Sequence, residues 1–361
     1  MDIHLVPGIK ANDVAEAHRK DILLEKEHHC KCMTYWIDEE RENVFCLIEA
    51  PEKEAVIEMH RRSHGLVPNK IIEVNSNIVE SFLGRIYDPA DARTTDTGLK
   101  VFHDPSFRIL LVTKITDPVL LKHKWGTEKT NELLASQNEL IRNKLIQYDG
   151  SEVEHEGDGF IISFNSATKA VKCALDIQKA LDPADAEISG FKIGISSGEP
   201  IGKTDNLFGD AIQSAERISL TVKNMGVAMS VSVRNLVSKE IFNKNEKDIV
   251  TLSPQDENFL EVLFSGFEAH WQDPDFGIPD FCKSLAMSNS HLYRKTTELL
   301  GLSPIALLNE FKLEKARELI KKRRSTISQV TFDAGFASPS YFTKCFKKKY
   351  GLLPMTYIDL L

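Results

Sequence analysis

The spacing of apolar and polar positions changes twice along the chain. Over residues 1–83 short apolar runs alternate with amphipathic segments, which predicts strands at 3–6, 32–37, 44–50 and 70–74 and helices at 12–27 and 53–62. Residues 38–43 supply a hairpin connection, and Pro51 opens the second helix near a position proline tolerates. Residues 88–100 are rich in Asp, Thr, Gly and Ala without apolar periodicity and read as a linker. Beyond it the pattern predicts a strand at 108–114, a long helix at 127–148, two strands within 152–164 and a helix at 167–181. A strand at 191–197, a helix at 209–223 and a strand at 227–231 follow. Residues 238–253 are polar and read as a connection. The helical period then takes over, starting with 254–271, whose inner stripe is Phe259, Val262, Leu263 and Phe267.

The first stretch, in the order β-α-β-β-α-β, has the ferredoxin-like arrangement, in which a small sheet with one helical face often pairs with a second copy. The last stretch contains a repeat. At an offset of 50 residues Ser288 meets Ser338, Ser290 meets Ser340, Leu292 meets Phe342, Arg294 meets Lys344, Gly301 meets Gly351 and Pro304 meets Pro354. Each copy reads as a short helix, a turn and a second helix opening on a Ser N-cap and closing on Gly, a helix-turn-helix written twice. The apolar positions Leu307, Leu308, Phe311, Leu313, Ala316, Leu319 and Ile320 make 304–323 a helix joining the copies.

The motifs Met287-Ser-Asn-Ser-His-Leu-Tyr-Arg-Lys295, Leu313-Glu-Lys-Ala-Arg-Glu-Leu319 and Gly335-Phe-Ala-Ser-Pro-Ser-Tyr-Phe-Thr-Lys-Cys-Phe-Lys-Lys348 resemble the AraC/XylS family of transcription regulators, as does Gly351-Leu-Leu-Pro354. The resemblance implies an all-α double helix-turn-helix domain over 255–361 that binds double-stranded DNA. Charge agrees locally: from Ser265 onward there are 14 Lys and Arg against 10 Asp and Glu, in a chain whose net charge is −8. The polar face of the first recognition helix carries Ser290, Tyr293, Arg294 and Lys295; that of the second carries Ser340, Thr343, Lys344, Lys347 and Lys348. Arg294 suits a guanine edge. The run 347–349 alone reads equally as a solvated helix end; beside a doubled helix-turn-helix it reads as a phosphate contact.

The first stretch is unusually rich in His and Cys. His60 and His64 stand four apart on one helix face, a spacing that lets two imidazoles meet one ion. His4 and Cys46 lie in strands that neighbour in this topology, and His18 lies midway along the first helix. A solvated histidine pair and a small core cysteine are the plainer alternatives. Tyr35-Trp-Ile-Asp-Glu39, Val44-Phe-Cys-Leu-Ile-Glu-Ala-Pro51 and Met59-His-Arg-Arg-Ser-His-Gly-Leu-Val67 resemble the small nickel-binding ferredoxin-like proteins, which implies a metal site over 1–86. Imidazole and thiolate donors suit Ni, Zn or Cu alike. His28, His29, Cys30 and Cys32 depart from that pattern and read as a decorated turn.

Between the linker, 87–106, and residue 250, the motifs Glu156-Gly-Asp-Gly-Phe160, Phe191-Lys-Ile-Gly-Ile-Ser-Ser-Gly-Glu199 and Phe208-Gly-Asp-Ala-Ile-Gln-Ser-Ala-Glu-Arg217 resemble the class III nucleotide cyclase domain. The resemblance implies two metal-binding aspartates, a pair of purine-recognition side chains, and an Asn and an Arg at the transition state. Asp158 matches one aspartate, but Lys114 stands where the other belongs, unless Asp117 shifts in. Glu154 and Asn206 fall at the purine positions, Gln213 replaces the Asn, and Arg217 is kept. Asp158 could equally cap a turn between strands. The departures converge on one chemistry and imply a non-catalytic domain with a vestigial nucleotide site; a cyclase tethered to DNA is the alternative.

At 361 residues and 42% hydrophobic content, the chain has material for two to three cores. No apolar run approaches the ~18 residues of a membrane span, and no signal peptide is evident. Six scattered cysteines point to reduced thiols in a cytoplasm. The expectation is a multidomain α+β chain acting as a cytoplasmic, metal- or nucleotide-responsive DNA-binding regulator, homodimeric through its first two domains.

Overall fold

Strand β1 (Asp2–Leu5) lies inside its sheet, with a neighbouring strand on each edge. After it come α1 (Ala11–Leu24), β2 (Lys31–Asp38), β3 (Asn43–Glu49), α2 (Lys53–Ser63) and β4 (Lys70–Ile71), and the sheet order is β2-β3-β1-β4. This is the expected ferredoxin-like topology. The structure, a computed structural model, describes residues 1–361 apart from 97, 157–158, 182–183, 185–189, 223–225 and 323–325.

The sheet face that such a domain can offer to a second copy is used within the chain. Trp36, Phe45, Leu47 and Ile72 share one core with Leu110, Ile201, Leu207, Phe208 and Ala211 of the middle domain. A helix not expected from the sequence, α3 (Ser76–Leu83), closes this core with Val79, Phe82 and Leu83. It starts at an Asn75 cap and ends at left-handed Gly84. Residues 87–106 are no free linker either. They form the small pair β5 (Arg93–Thr94) and β6 (Lys100–Val101), and Phe102 stacks on Tyr35 with ring centroids 4.2 Å apart. Arg85 lies over both Trp36 and Phe102 and donates to Asp104.

The middle domain runs through β7 (Arg108–Lys114), α4 (Pro118–Trp125), α5 (Thr127–Tyr148), β8 (Ser151–Glu156), β9 (Gly159–Phe164), α6 (Ala167–Ala180), β10 (Lys192–Gly198), α7 (Gly209–Ser219) and β11 (Gly226–Met229). Then α8 (Val231–Leu236), α9 (Lys239–Asn245) and β12 (Ile249–Thr251) follow, so 238–253 is not the polar connection the sequence suggested. β12 pairs parallel with β11 and completes a six-stranded sheet of order β12-β11-β10-β7-β9-β8. Period-two alternation splits β7: Ile109 and Leu111 face the core under α5 and α6, while Leu110 faces the amino-terminal domain. α7 lies directly on β10, where a Cβ at Gly194 would meet the Ala215 carbonyl oxygen at 1.9 Å.

The carboxy-terminal part is all helix: α10 (Pro254–His270), α11 (Ile278–Ser284), α12 (Asn289–Leu300), α13 (Pro304–Lys321), α14 (Ile327–Asp333), α15 (Pro339–Tyr350) and α16 (Pro354–Asp359). The internal repeat shows in the caps. Ser288 and Ser338 accept from the backbone N–H three residues on, and Gly301 and Gly351 close α12 and α15 in the left-handed region. Two cores result. The first unit packs Phe259, Leu263, Phe267, Phe281, Leu292 and Leu307 together with Ile218, Val222 and Ala228 of the middle domain. The second packs Leu313, Ala316, Phe342, Phe346 and Tyr357, with Val119 and Leu120 of α4 against it.

Candidate nucleic-acid interface and metal centre

The two recognition helices, α12 and α15, turn their apolar side inward through Leu292, Phe342 and Phe346. Their outer faces keep Ser290, Tyr293, Arg294, Ser340, Lys344, Lys347 and Lys348 exposed, with Thr343 half-buried. Several basic side chains elsewhere in this part have internal work. Lys312 donates to the carbonyls of Asp273 and Gly335, Lys349 pairs with Glu314 at 2.9 Å, and Arg317 and Lys321 hold Asp117. Among the described residues, Arg294, Lys344, Lys347 and Lys348 make no ion pair. Lys295 is a correction: it is half-buried and ion-paired with Asp256 of α10, so it ties the first unit together instead of reaching outward.

In the amino-terminal domain, two groups of donors form where β1, β3, α1 and α2 meet. One is Asp2, His4 and Cys46; the other is Asp21, His60 and His64. His60 joins them, with Nε2 3.1 Å from Asp2 and Nδ1 3.2 Å from Asp21 and 3.0 Å from His64. The His4 and His60 rings meet edge to face at 5.0 Å. Burial pulls the His60 imidazolium down, but its hydrogen bonds to Asp2 and Asp21 outweigh this and hold it up at about 9. Burial likewise works against charge on both carboxyls, and their imidazole partners still keep them well below the usual carboxylate range. Burial, with Asp2 adding to it, pushes the Cys46 thiol up.

The chemistry of these residues is that of metal donors. Each group brings imidazole, carboxylate or thiolate atoms of three side chains within 4.8 Å of one another, so that small adjustments could converge them on one ion at ~2.0–2.3 Å. His18 belongs to neither group: its ring packs on Tyr35, and its Nε2 faces Asp88 at 3.6 Å. Asp2 and Asp21 were missed in the sequence, although each left a signal. Asp2 shares a strand face with His4, and Asp21 sits on the stripe of Val14, Ala15 and His18 that α1 buries. Cys30 packs with Val56 and Met59, Cys32 has Met59 beside its sulfur, and His28 contacts Arg62, which leaves the turn as structure.

In the middle domain Asp158 lies outside the described residues. Lys114 pairs with Glu216 at 3.0 Å. Arg217 donates to Gln213 and to Glu268 of α10. Glu154 and Asn206 are both exposed, and Asn206 follows a loop that the amino-terminal domain holds. There Lys70 donates to the carbonyls of Gly202, Lys203 and Thr204 and pairs with Asp205. A cavity of about 400 Å³ between α7 and α10 is lined by Lys203 and Arg217 but also by Asp210, Glu257, Glu261 and Glu268.

Asp117 does not shift toward a metal site. It caps α4 through the Val119 N–H and accepts from Arg317, Lys321 and Tyr357 of the carboxy-terminal part. Burial raises its carboxyl, and the two cations and the phenol outweigh that and keep it below its ordinary 3.8. A depressed carboxyl stabilises the fold above its unfolded-state value and loses that contribution as the pH falls through the folded one. The melting temperature of the wild type should therefore exceed that of Asp117→Asn by a constant margin from neutral pH down to about 5, with the margin shrinking only below the ordinary carboxylate range. Thermal melts across pH check this.

With this geometry in hand, similarity to known proteins falls into place by region. Residues 281–359 match a family described as helix-turn-helix domain, and residues 1–74 one described as nickel responsive protein SCO4226-like. A relative in Formosa agariphila, Histidine kinase P4, is 32% identical over 108 residues, 30% of this chain and 8% of that protein. The HTH-type transcriptional regulator MtrA of Neisseria gonorrhoeae is 30% identical over 112 residues, 27% of this chain and 37% of its own. "Putative adenylate cyclase 3" of Rhizobium meliloti is 28% identical over 110 residues, 29% of this chain and 19% of its own. The chain thus spans well under half of each of these relatives. It carries an AraC-type helix-turn-helix domain, a cyclase-like middle domain and a nickel-responsive-protein-like amino-terminal domain in one multidomain α+β architecture. Among the described residues no helix is long and apolar enough to cross a membrane.

Proposed function

We propose that the chain is a sequence-specific, double-stranded-DNA-binding transcription regulator of AraC type, acting in the cytoplasm and responsive to a metal ion held by its amino-terminal domain. One observation carries the DNA-binding reading. Several basic side chains of the helical part are committed to internal partners, such as Lys312, Arg317 and Lys349, whereas Arg294, Lys344, Lys347 and Lys348 stand exposed on the outer faces of two repeated helices. Two such faces joined by α13 suit successive major grooves.

The metal reading rests on the two donor groups and on the likeness to nickel-responsive proteins. His4, Cys46, His60 and His64, with Asp2 and Asp21, would hold Ni, Zn or Cu; their mixed donors do not choose among the three. A bound ion would supply a cross-link between β1, β3, α1 and α2. From there contacts lead onward. β4 pairs with β1 at Ile3↔Lys70, Lys70 grips the 202–205 loop, and Lys203 pairs with Glu261 of α10 at 2.5 Å. Coupling requires that the ion prefer one arrangement of this series over another.

The middle domain serves in this reading as a non-catalytic body. Lys114 brings a cation, already paired, to a position where a metal would need a carboxylate, and Asp117 is committed elsewhere. The adjoining cavity has four carboxylates against two cations, which opposes a triphosphate. Incubated with ATP or GTP and Mg²⁺ or Mn²⁺, the full chain should form no cyclic nucleotide. Formation that Asp158→Ala abolishes would overturn this and establish a cyclase tethered to DNA.

A further inference from the structure

Asp117 belongs to the middle domain by sequence and to the second helix-turn-helix unit by contact. Its side chain is fully buried. One oxygen caps α4, and the other lies 2.7 Å from Arg317 Nη1, 2.8 Å from Lys321 Nζ and 2.8 Å from the Tyr357 hydroxyl. Arg317 and Lys321 stand on the last turns of α13 and Tyr357 on α16, so one carboxylate gathers three groups of the second unit. Val119 and Leu120 add apolar contact at the same place.

The first unit is held to the same body at a different point, through Phe259, Leu260 and Phe264 of α10 against Ile218, Val222 and Ala228. Both units are therefore anchored to one domain, and α13 spans the interval between them. Lys312 ties the units near the middle of α13 through the Asp273 and Gly335 carbonyls. Asp117 fixes its far end. This docking leaves the recognition faces open, since Tyr293 is 55% and Tyr341 49% exposed. It constrains where the faces point without masking them.

Geometry makes that constraint legible to DNA. Two recognition helices on one side of a duplex enter grooves ~34 Å apart, and each base pair added between half-sites moves one of them by ~3.4 Å and rotates it by roughly a tenth of a turn. We infer that Asp117, through Arg317, Lys321 and Tyr357, is a specificity-determining residue for DNA recognition that sets the spacing and helical phase of the two half-sites. The inference rests on the DNA-binding reading above. Asp117→Asn keeps the shape of the side chain but takes from Arg317 and Lys321 the carboxylate that ties them to α4, leaving Arg317 its pair with Glu314 on its own helix. Leu120→Ala loosens the same docking by removing apolar contact outside the helix-turn-helix units.

The test uses the full chain and duplexes selected by the wild type from a random-sequence pool. Affinity is measured for the selected site, for versions with the half-sites moved closer or apart by one to five base pairs, and for each half-site alone. In the wild type a one-base-pair change should cost roughly tenfold or more, comparable to a mismatched base pair. In Asp117→Asn and in Leu120→Ala the cost should fall to about threefold or less, with single-half-site affinity within about twofold of wild type. Variant profiles as steep and identically centred as the wild type's would overturn the inference. Should Asp117→Asn also lose its half-site binding, the Leu120→Ala profile decides by the same criterion. Selection that yields no preferred sequence would instead overturn the DNA-binding reading itself.

Discussion

Replacing both Arg294 and Lys344 by alanine should weaken sequence-specific DNA binding by the full chain at least ~30-fold. Each occupies the equivalent position of its recognition helix, exposed on the outer face, while the inner positions Leu292 and Phe342 are fully buried. A side chain that reads a base edge is worth ~1–3 kcal/mol, so losing two should weaken binding between ~30-fold and ~10⁴-fold. Competition binding against the selected duplex measures the loss. The single variant Arg294→Ala tells what kind of contact is lost. Relaxed preference at one base position marks a base contact, and uniform weakening across sequences marks a phosphate contact. Lys295→Ala should act differently, through the stability of the first unit, because its partner is Asp256.

The second large effect concerns the donor cluster. His60 touches both carboxylates and His64, so His60→Ala with His64→Ala dismantles one group and unsettles the other. Affinity for nickel should fall by more than ~100-fold, beyond what loss of an outer-shell partner costs. His18→Ala is the control and should leave nickel binding unchanged, since that ring is committed to Tyr35 and Asp88. Calorimetric titration of the three proteins separates these outcomes. Equal loss in His18→Ala would return that residue to the site.

Local signals carried most of the elements and few of the interfaces. β7 at Arg108–Lys114 and α5 at Thr127–Tyr148 fall where the apolar period places them. The helix-turn-helix repeat was legible because Ser caps and Gly ends act within a few residues of one another. Several short helices escaped, α8, α9 and α16 among them. α3 and α4 each run eight residues, too few for a period to show, although Asn75, Gly84, Asp117 and Pro118 mark their ends. The linker failed for another reason: Phe102 finds Tyr35, and Asp88 finds His18, across distances no local pattern encodes. So did the domain faces. No local pattern says that Phe208 meets the amino-terminal sheet or that Ile218 meets α10. The donor cluster was half visible, its histidines by spacing and its aspartates only once α1 and β1 are set against α2.

The measurement that bears most directly on a metal-responsive DNA-binding regulator is the affinity of the full chain for its selected duplex across a nickel titration, with zinc in parallel. The expected result is a change of about fivefold or more, saturating with the metal site and missing in the His60→Ala/His64→Ala variant. An affinity for that duplex that stays constant from metal-free to saturated protein would contradict it.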